Sequence, residues 1–472
     1  MSYVSQNTHL SARRTFALYT ETAPYRSLAT QNTFDGSKAY RWSLEIAARY
    51  RVKLSHELSD WFDCGVCEQL GAGEFCEPAT PKQLLSDAPE CIWPGLMPPD
   101  VLPLVGNGLG DWLCGRVSAQ NTIDEIIYWY HGGGDHLPYG TRLAEAIVFD
   151  TLAERLPGRR QFHAIPAERE SIEYQSIVSG VLVEWAVRHL PPDVESVLSI
   201  DAPPSLIASE LNRHKIASAA VRCDAVLAAL DNQLRVRLTN RDAVKLGVSW
   251  DRDVSKWMFD TATIPLAKKQ ILMDQWEDQH GHCFYQDWTA VEEICEEVAR
   301  ERNDLGWVHD CLGWSAQRRG DVETAKRHYE RSAMTSVFTD QAVRFRTHFD
   351  NERVAKFSVA RLLEMGVEHR IDPQYIAAVS DTTNPHWRLE VEKYWLQQAD
   401  APESTDRQRY DLIYRAGWDV GCDSMRGYRD LLIKLSEAAM RVGQVARAEV
   451  AKTHAACIEE RYGNRAKASA SP

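Results

Sequence analysis

Residues 101–131, VLPLVGNGLGDWLCGRVSAQNTIDEIIYWYH, decide the fold. LPLV (102–105) runs into GNGLGD (106–111), which runs into DWLCGRV (111–117). NTIDE (121–125) then turns the chain into EIIYWYH (125–131). Three short strands joined by tight Gly/Asn/Asp turns read as an antiparallel meander. Asn107-Gly108 supplies the positive φ that a tight hairpin needs. HGGGDHLPYG (131–140) is expected to close the meander as a loop. The helical pattern TRLAEAIVFDTLAERL (141–156) follows and stops at Pro157-Gly158.

Upstream, Trp42, Ile46, Ala47 and Tyr50, then Leu54, Leu58, Trp61 and Phe62, recur at helical spacing, with Ser55 placed to cap the second helix. Residues 89–104, with five prolines, are extended and punctuated. Downstream of about residue 160 the β signal fades. Helices are expected over Glu170–Leu190, Pro204–Leu211, Ala217–Leu230 and Ile264–Gln279. Ala290 and Ala325 lie thirty-five residues apart within two similar helical stretches.

The chain of 472 residues has a formal net charge of −13. An acidic balance argues against broad binding to nucleic acid or to anionic lipid, both of which attract basic proteins. No stretch approaches the roughly 20 apolar residues of a membrane-spanning helix, and the first residues lack the order of a secretory signal. A cytoplasmic protein is therefore expected. Residues 51–150 hold five basic and fifteen acidic residues, a balance of −10. Such a segment either faces a basic partner or serves as a solvated surface.

The motifs that carry chemistry are incomplete. In GNGLGD the sixth position is Asp111 and a strand follows, so a β-turn fits better than a dinucleotide loop. HGGGD (131–135) has the form of an esterase oxyanion hole, but no G-x-S-x-G nucleophile elbow accompanies it. A P-loop is absent. The eleven cysteines default to reduced thiols. The Cys64/Cys67 pair has no second close pair to complete a zinc site, and buried structural cysteine is the simpler reading. His280, His282 and Cys283, with Asp287, are ligand types without a spaced fourth partner. They are the only support for an unrecognised enzyme. No catalytic residue, metal or cofactor is assigned.

The aromatics carry more. On a strand, alternate residues face opposite sides. Tyr128 and Tyr130 then share one face, and Trp129 and His131 the other. One set fills the core. The other either lies exposed with Trp112 among Asp111, Asp124, Glu125 and Asp135, as a protein-binding surface, or is covered by the rest of the chain.

The stretch 285–335 resembles a tetratricopeptide repeat. Leu312-Gly313 matches the Leu-Gly of its first helix, Gly320 its turn, and Ala325 and Tyr329 the small and aromatic positions of its second helix. Ala316 replaces the usual Tyr. Residues 93–150, WPGLMPPDVLPLVGNGLGDWLCGRV with EIIYWYHGGGD and LAEAIVFD, resemble the SUKH superfamily of yeast cell-wall regulators and bacterial toxin-immunity proteins. Leu-Pro before a strand, the Asn-Gly-x-Gly-Asp turn, the strand ending in an aromatic and His, and the closing helix match. LSHELSDWF looks like the family's early helix, with Ser55-His56 in place of its usual Pro.

The resemblances imply an α+β fold: a SUKH-like antiparallel or mixed sheet with flanking helices, then an all-α helical-repeat region. An N-terminal arm (1–35) would precede the SUKH-like domain (36–160). A helical connecting region (161–260), a tetratricopeptide-like domain (261–460) and a frayed tail (461–472) would follow. They imply a non-enzymatic binding protein whose acidic domain grips a basic protein, such as a toxin or nuclease, in an immunity role. The other reading is a regulatory adaptor or scaffold acting through its repeats. By position, Asn107, Gly108, Gly110 and Asp111 would shape the turn. Asp111, Trp112, Asp124, Glu125, Trp129, His131 and Asp135 would meet the partner.

Overall fold

The computed structural model describes residues 41–71, 73–153, 155–158, 180–198, 202–235, 289–339 and 354–468. The expected arm, the helix at Ile264–Gln279, the first part of Glu170–Leu190, and His280, His282, Cys283 and Asp287 lie outside these residues. The described chain begins with two short helices, α1 (Trp42–Tyr50) and α2 (His56–Asp63). Ser55 caps the second, its hydroxyl accepting from Leu58 N at 3.1 Å.

The meander is present and larger than expected. Five antiparallel strands pair in sequence order: β1 (Glu77–Pro78), β2 (Val101–Gly106), β3 (Trp112–Val117), β4 (Ile123–Trp129) and β5 (His136–Gly140). Two corrections follow. HLPYG, expected within a loop, is the fifth strand, with Trp129 opposite His136. Asp124, expected in a turn, lies inside β4 beside Glu125, the expected first residue of the strand, which is paired with Arg116 across the ladder. A short helix α3 (Pro81–Leu84) links β1 to the proline-rich segment.

Alternation sorts the strand residues onto two apolar faces. Leu102, Leu104, Leu113, Ile126 and Tyr139 join the inner core, with Tyr128 packed against it. That core is completed by α1, α2, α4 (Leu143–Ala153), α5 (Val181–Arg188), α6 (Pro204–Arg213) and the start of α7 (Ser218–Arg235). Val101, Cys114, Ile127 and Trp129 form a second cluster with Met97 on the outer face. Every residue of β2 is buried, the pattern of a strand covered on both sides.

The cover on the outer face comes from the far end of the chain. Nine helices follow among the described residues: α8 (Thr289–Glu301), α9 (Gly306–Arg318), α10 (Val322–Ala333), α11 (Phe357–Met365), α12 (Pro373–Val379), α13 (Trp387–Ala399), α14 (Asp406–Trp418), α15 (Met425–Arg441) and α16 (Val445–Ala468). They share a core of their own. The last helix continues past residue 461, where a frayed tail was expected, to Ala468. Trp418 Nε1 donates to Met97 O at 3.3 Å, His454 Nε2 to Val101 O at 3.1 Å, and Arg447 Nε to Val117 O at 2.7 Å. Asn121, in the β3–β4 turn, accepts from Ala446 N and donates to Gly443 O. Trp129 of the outer aromatic set is thus covered by the chain itself.

Helices α9 and α10 form a hairpin turned at Gly320, which has φ +79°. Gly313 of α9 lies under the ring of Tyr329, and a Cβ there would meet Tyr329 Cε1 at 2.6 Å. Ala325 and Tyr329 are fully buried. The glycine of Leu312-Gly313 and the aromatic singled out in the sequence are therefore one contact. Replacing Gly313 by Ala sets a gain in helix propensity of about 1 kcal/mol against overpacking of about 1–3 kcal/mol. Tyr329 is enclosed and has no room to yield, so Gly313→Ala is expected to lower the urea midpoint. An unchanged or raised midpoint would mean that this contact does not set the hairpin's spacing.

Candidate ligand cleft at the seam of the two halves

Asp111 is an internal organiser of the β2–β3 turn. Its Oδ1 accepts from His131 N at 2.9 Å and lies 2.7 Å from His131 Nδ1. Its Oδ2 accepts from Asn107 Nδ2 and from Tyr128 OH, both at 3.1 Å. Asn107 Oδ1 accepts from the backbone N–H of Leu109 and Asp111. Gly108 and Gly110 take φ of +69° and +111°, which glycine adopts without strain. The turn assignment of Asn107, Gly108 and Gly110 is therefore visible in the geometry.

The surface expected for a partner is not assembled. Trp129 and Asp135 are buried at 0% and 2% exposure, and Asp111 at 6%. The second apolar face drew a helical cover, so these side chains are inside. Trp112 is half-buried against Gly106. His131 is partly exposed, beside Trp93, and Asp124 is exposed. Glu125 is taken up by arginines.

Those arginines mark the seam between the sheet-bearing and helical halves. Glu125 pairs with Arg116 at 3.1 Å across the ladder and with Arg302 of the helical half. Asp100 lies 3.4 Å from Arg116 and 4.0 Å from Arg447. Arg116 also donates to Tyr414 OH at 3.3 Å. Part of the acidic surplus of residues 51–150 therefore has its basic partner within the chain. Five of its fifteen carboxylates (Glu57, Asp100, Asp111, Asp135 and Glu145) are buried.

A cleft of about 610 Å³ opens along this seam, within the size range of small-molecule sites. The sheet half contributes Asp100, Arg116 and His136; α14 contributes Arg407, Tyr414, Arg415 and Trp418; α16 contributes Arg447. His136 N donates to Phe338 O at 2.7 Å, which ties β5 to the loop after α10. Burial, and then the Arg116 guanidinium beside it, hold the His136 pKa well below the ordinary value. The ring is neutral. Sequence reasoning missed this site because its residues stand up to about 350 positions apart. The one local signal was the i, i+4, i+8 spacing of Arg407, Asp411 and Arg415 on α14.

Behind the cleft, Lys356 and Asp419 form a buried ion pair. Lys356 Nζ also donates to Ala333 O and Thr335 O. Asp419 accepts from Tyr375 OH at 2.7 Å and Trp395 Nε1 at 3.0 Å. Breaking such a pair from one side leaves an uncompensated buried charge. A cavity of about 40 Å³ beside it, lined by Asp310, Ser332 and Lys356, has room for a water molecule or two. Among the described residues no group of three or more His, Cys, Asp or Glu is placed to hold a metal. Burial pushes the Cys67 thiol up to about 12 and raises Cys64 as well. Both shifts run opposite to those of a reactive redox pair.

The chain matches no family model, no curated protein and no solved structure. Among the described residues no helix is long and apolar enough to cross a membrane.

Asp310 supplies a pH test. Burial raises its pKa to about 7, against the hydrogen bond from Ser332 Oγ at 2.6 Å. The folded state thus holds this proton more tightly than the unfolded state. The stability it contributes is full below about pH 4 and is lost as pH rises through about 7. His309, His328 and His454, lowered to about 4 chiefly by burial, act in the opposite sense and lose stability as pH falls from about 6.5. The difference between wild type and Asp310→Asn isolates the carboxyl. Urea midpoints are expected to show wild type losing ground to the variant from pH 4 to pH 7. A difference that stays flat would contradict a raised Asp310 pKa.

Proposed function

We propose that this chain acts by binding another protein, without catalysis, and that its sheet-bearing half is a SUKH-like module of the toxin-immunity kind. The observation that carries this reading is the rim around β1, the sheet edge at the opposite end of the strand order from β5. Gly71 N donates to Cys76 O and Cys76 N to Gly106 O, which ties this rim to β2. The rim presents exposed Glu68, Glu74 and Glu77. Glu77 lies against Gly108, and Leu109 and Leu70 are each 77% exposed. Two apolar side chains among carboxylates on an open edge suit a basic protein with an apolar anchor. The Asp111 network holds the turn that carries Leu109, which lowers the ordering cost of binding. Of the residues named from the family pattern, the buried Asp111, Trp129 and Asp135 then act from beneath the surface, and Glu68, Glu77 and Leu109 make the contact.

Charge reversal tests this. Full-length protein and the Glu68→Lys/Glu77→Lys variant are used to capture partners from the native cell's lysate, with elution in salt steps. The expected result is one basic protein, released at moderate salt from the wild type and absent from the variant. The reading fails if the variant retains the same protein while Ile433→Asp/Met440→Asp loses it. These residues are 40% and 46% exposed on α15, so that outcome would move the function to the helical half as a scaffold.

A further inference from the structure

We propose that the seam cleft is a binding site for the anionic group of a small molecule, a carboxylate or a phosphate, with Arg415 as its principal cation. Each carboxylate lining the cleft already has a cation of its own. Asp100 has Arg116 and Arg447; Asp304 has Arg302 at 2.7 Å; Asp411 has Arg407 at 3.3 Å; Asp419 has Lys356. Arg415 is left over. Among the described residues its guanidinium makes no ion pair or hydrogen bond, and it lies 5.0 Å from the centre of the Trp395 ring. A guanidinium held against an indole keeps its N–H edge available, and that edge matches carboxylate and phosphate geometry.

Two further observations converge on the same cavity. His136, 6% exposed, lines it and has no hydrogen-bond partner at Nδ1. Arg116 Nη2, 3.5 Å away, can only donate to Nε2. The neutral ring therefore carries its proton on Nδ1, a buried donor lacking an acceptor. The volume, about 610 Å³, exceeds what a lone ion needs and suits an organic anion. Trp418 and Tyr414 supply apolar wall beside the cations. Because one side of the cleft is sheet and the other is α14 and α16, an occupant bridges the two halves and strengthens the seam. This proposal is independent of the β1 rim, and partner capture should be unchanged when Arg415 is replaced.

The test is calorimetric titration of the full-length protein with inorganic pyrophosphate and with succinate, at ionic strength matched by sodium chloride. Saturable binding of at least one is expected, and the tighter of the two tells a phosphate ligand from a carboxylate one. Arg415→Gln should weaken it by about tenfold or more, the loss of one charge-assisted hydrogen-bonded pair. Arg407→Gln, on the half-exposed rim, should weaken it by about two- to fivefold, and it keeps the test decisive if Arg415→Gln fails to fold. No saturable binding of either anion by the wild type overturns the proposal. So does binding that is the same in both folded variants.

Discussion

A sheet with two apolar faces has to be covered twice. Leu102, Leu104, Leu113 and Ile126 point one way, and Val101, Cys114, Ile127 and Trp129 the other. The inner set is met by helices near it in sequence. The outer set is met by α14–α16, roughly 300 residues later. The seam, its arginines and the cleft all follow from that second covering. The aromatic side chains on the outer strand face would otherwise be a large apolar patch in water, which soluble proteins rarely leave exposed.

Covering the sheet in this way brings polar groups of two remote segments together, and the seam shows how several of them are satisfied. Strand-end carbonyls of Val101 and Val117 receive His454 and Arg447. Asp100 and Glu125 receive arginines from both halves. These pairs are partly buried, so their removal one partner at a time costs more than a surface ion pair would. They set the register of the helical half on the sheet rather than supplying most of its adhesion, which comes from apolar area.

Much of this fold was legible in the sequence. Alternation in EIIYWYH placed Tyr128 and Trp129 on opposite faces, and Asn107-Gly108 marked the hairpin. Gly313, Ala325 and Tyr329 announced a close helical hairpin. Other parts were hidden for physical reasons. Strand β5 contains Pro138 and follows three glycines, a composition that reads as loop; it is held by pairing to β4 and by the Phe338 carbonyl. Strand β1 is two residues long and contains Pro78. Local pattern shows that a face is apolar and cannot name the distant segment that covers it. For the same reason the acidic balance of residues 51–150 read either as a face for a basic partner or as a solvated surface, whereas Arg302 and Arg447 answer part of it from within.

The central claim is that the outer sheet face and the C-terminal helices are one cooperative structure. Native-state hydrogen exchange on the full chain tests it most directly, comparing amides of β3 and β4 with those of α16 around His454. The account predicts that both sets open with the same free energy, close to that of global unfolding. If the α16 amides exchange orders of magnitude faster while the sheet stays protected, the helices are a loose cover. Trp129 and its neighbours would then be a surface available to a partner.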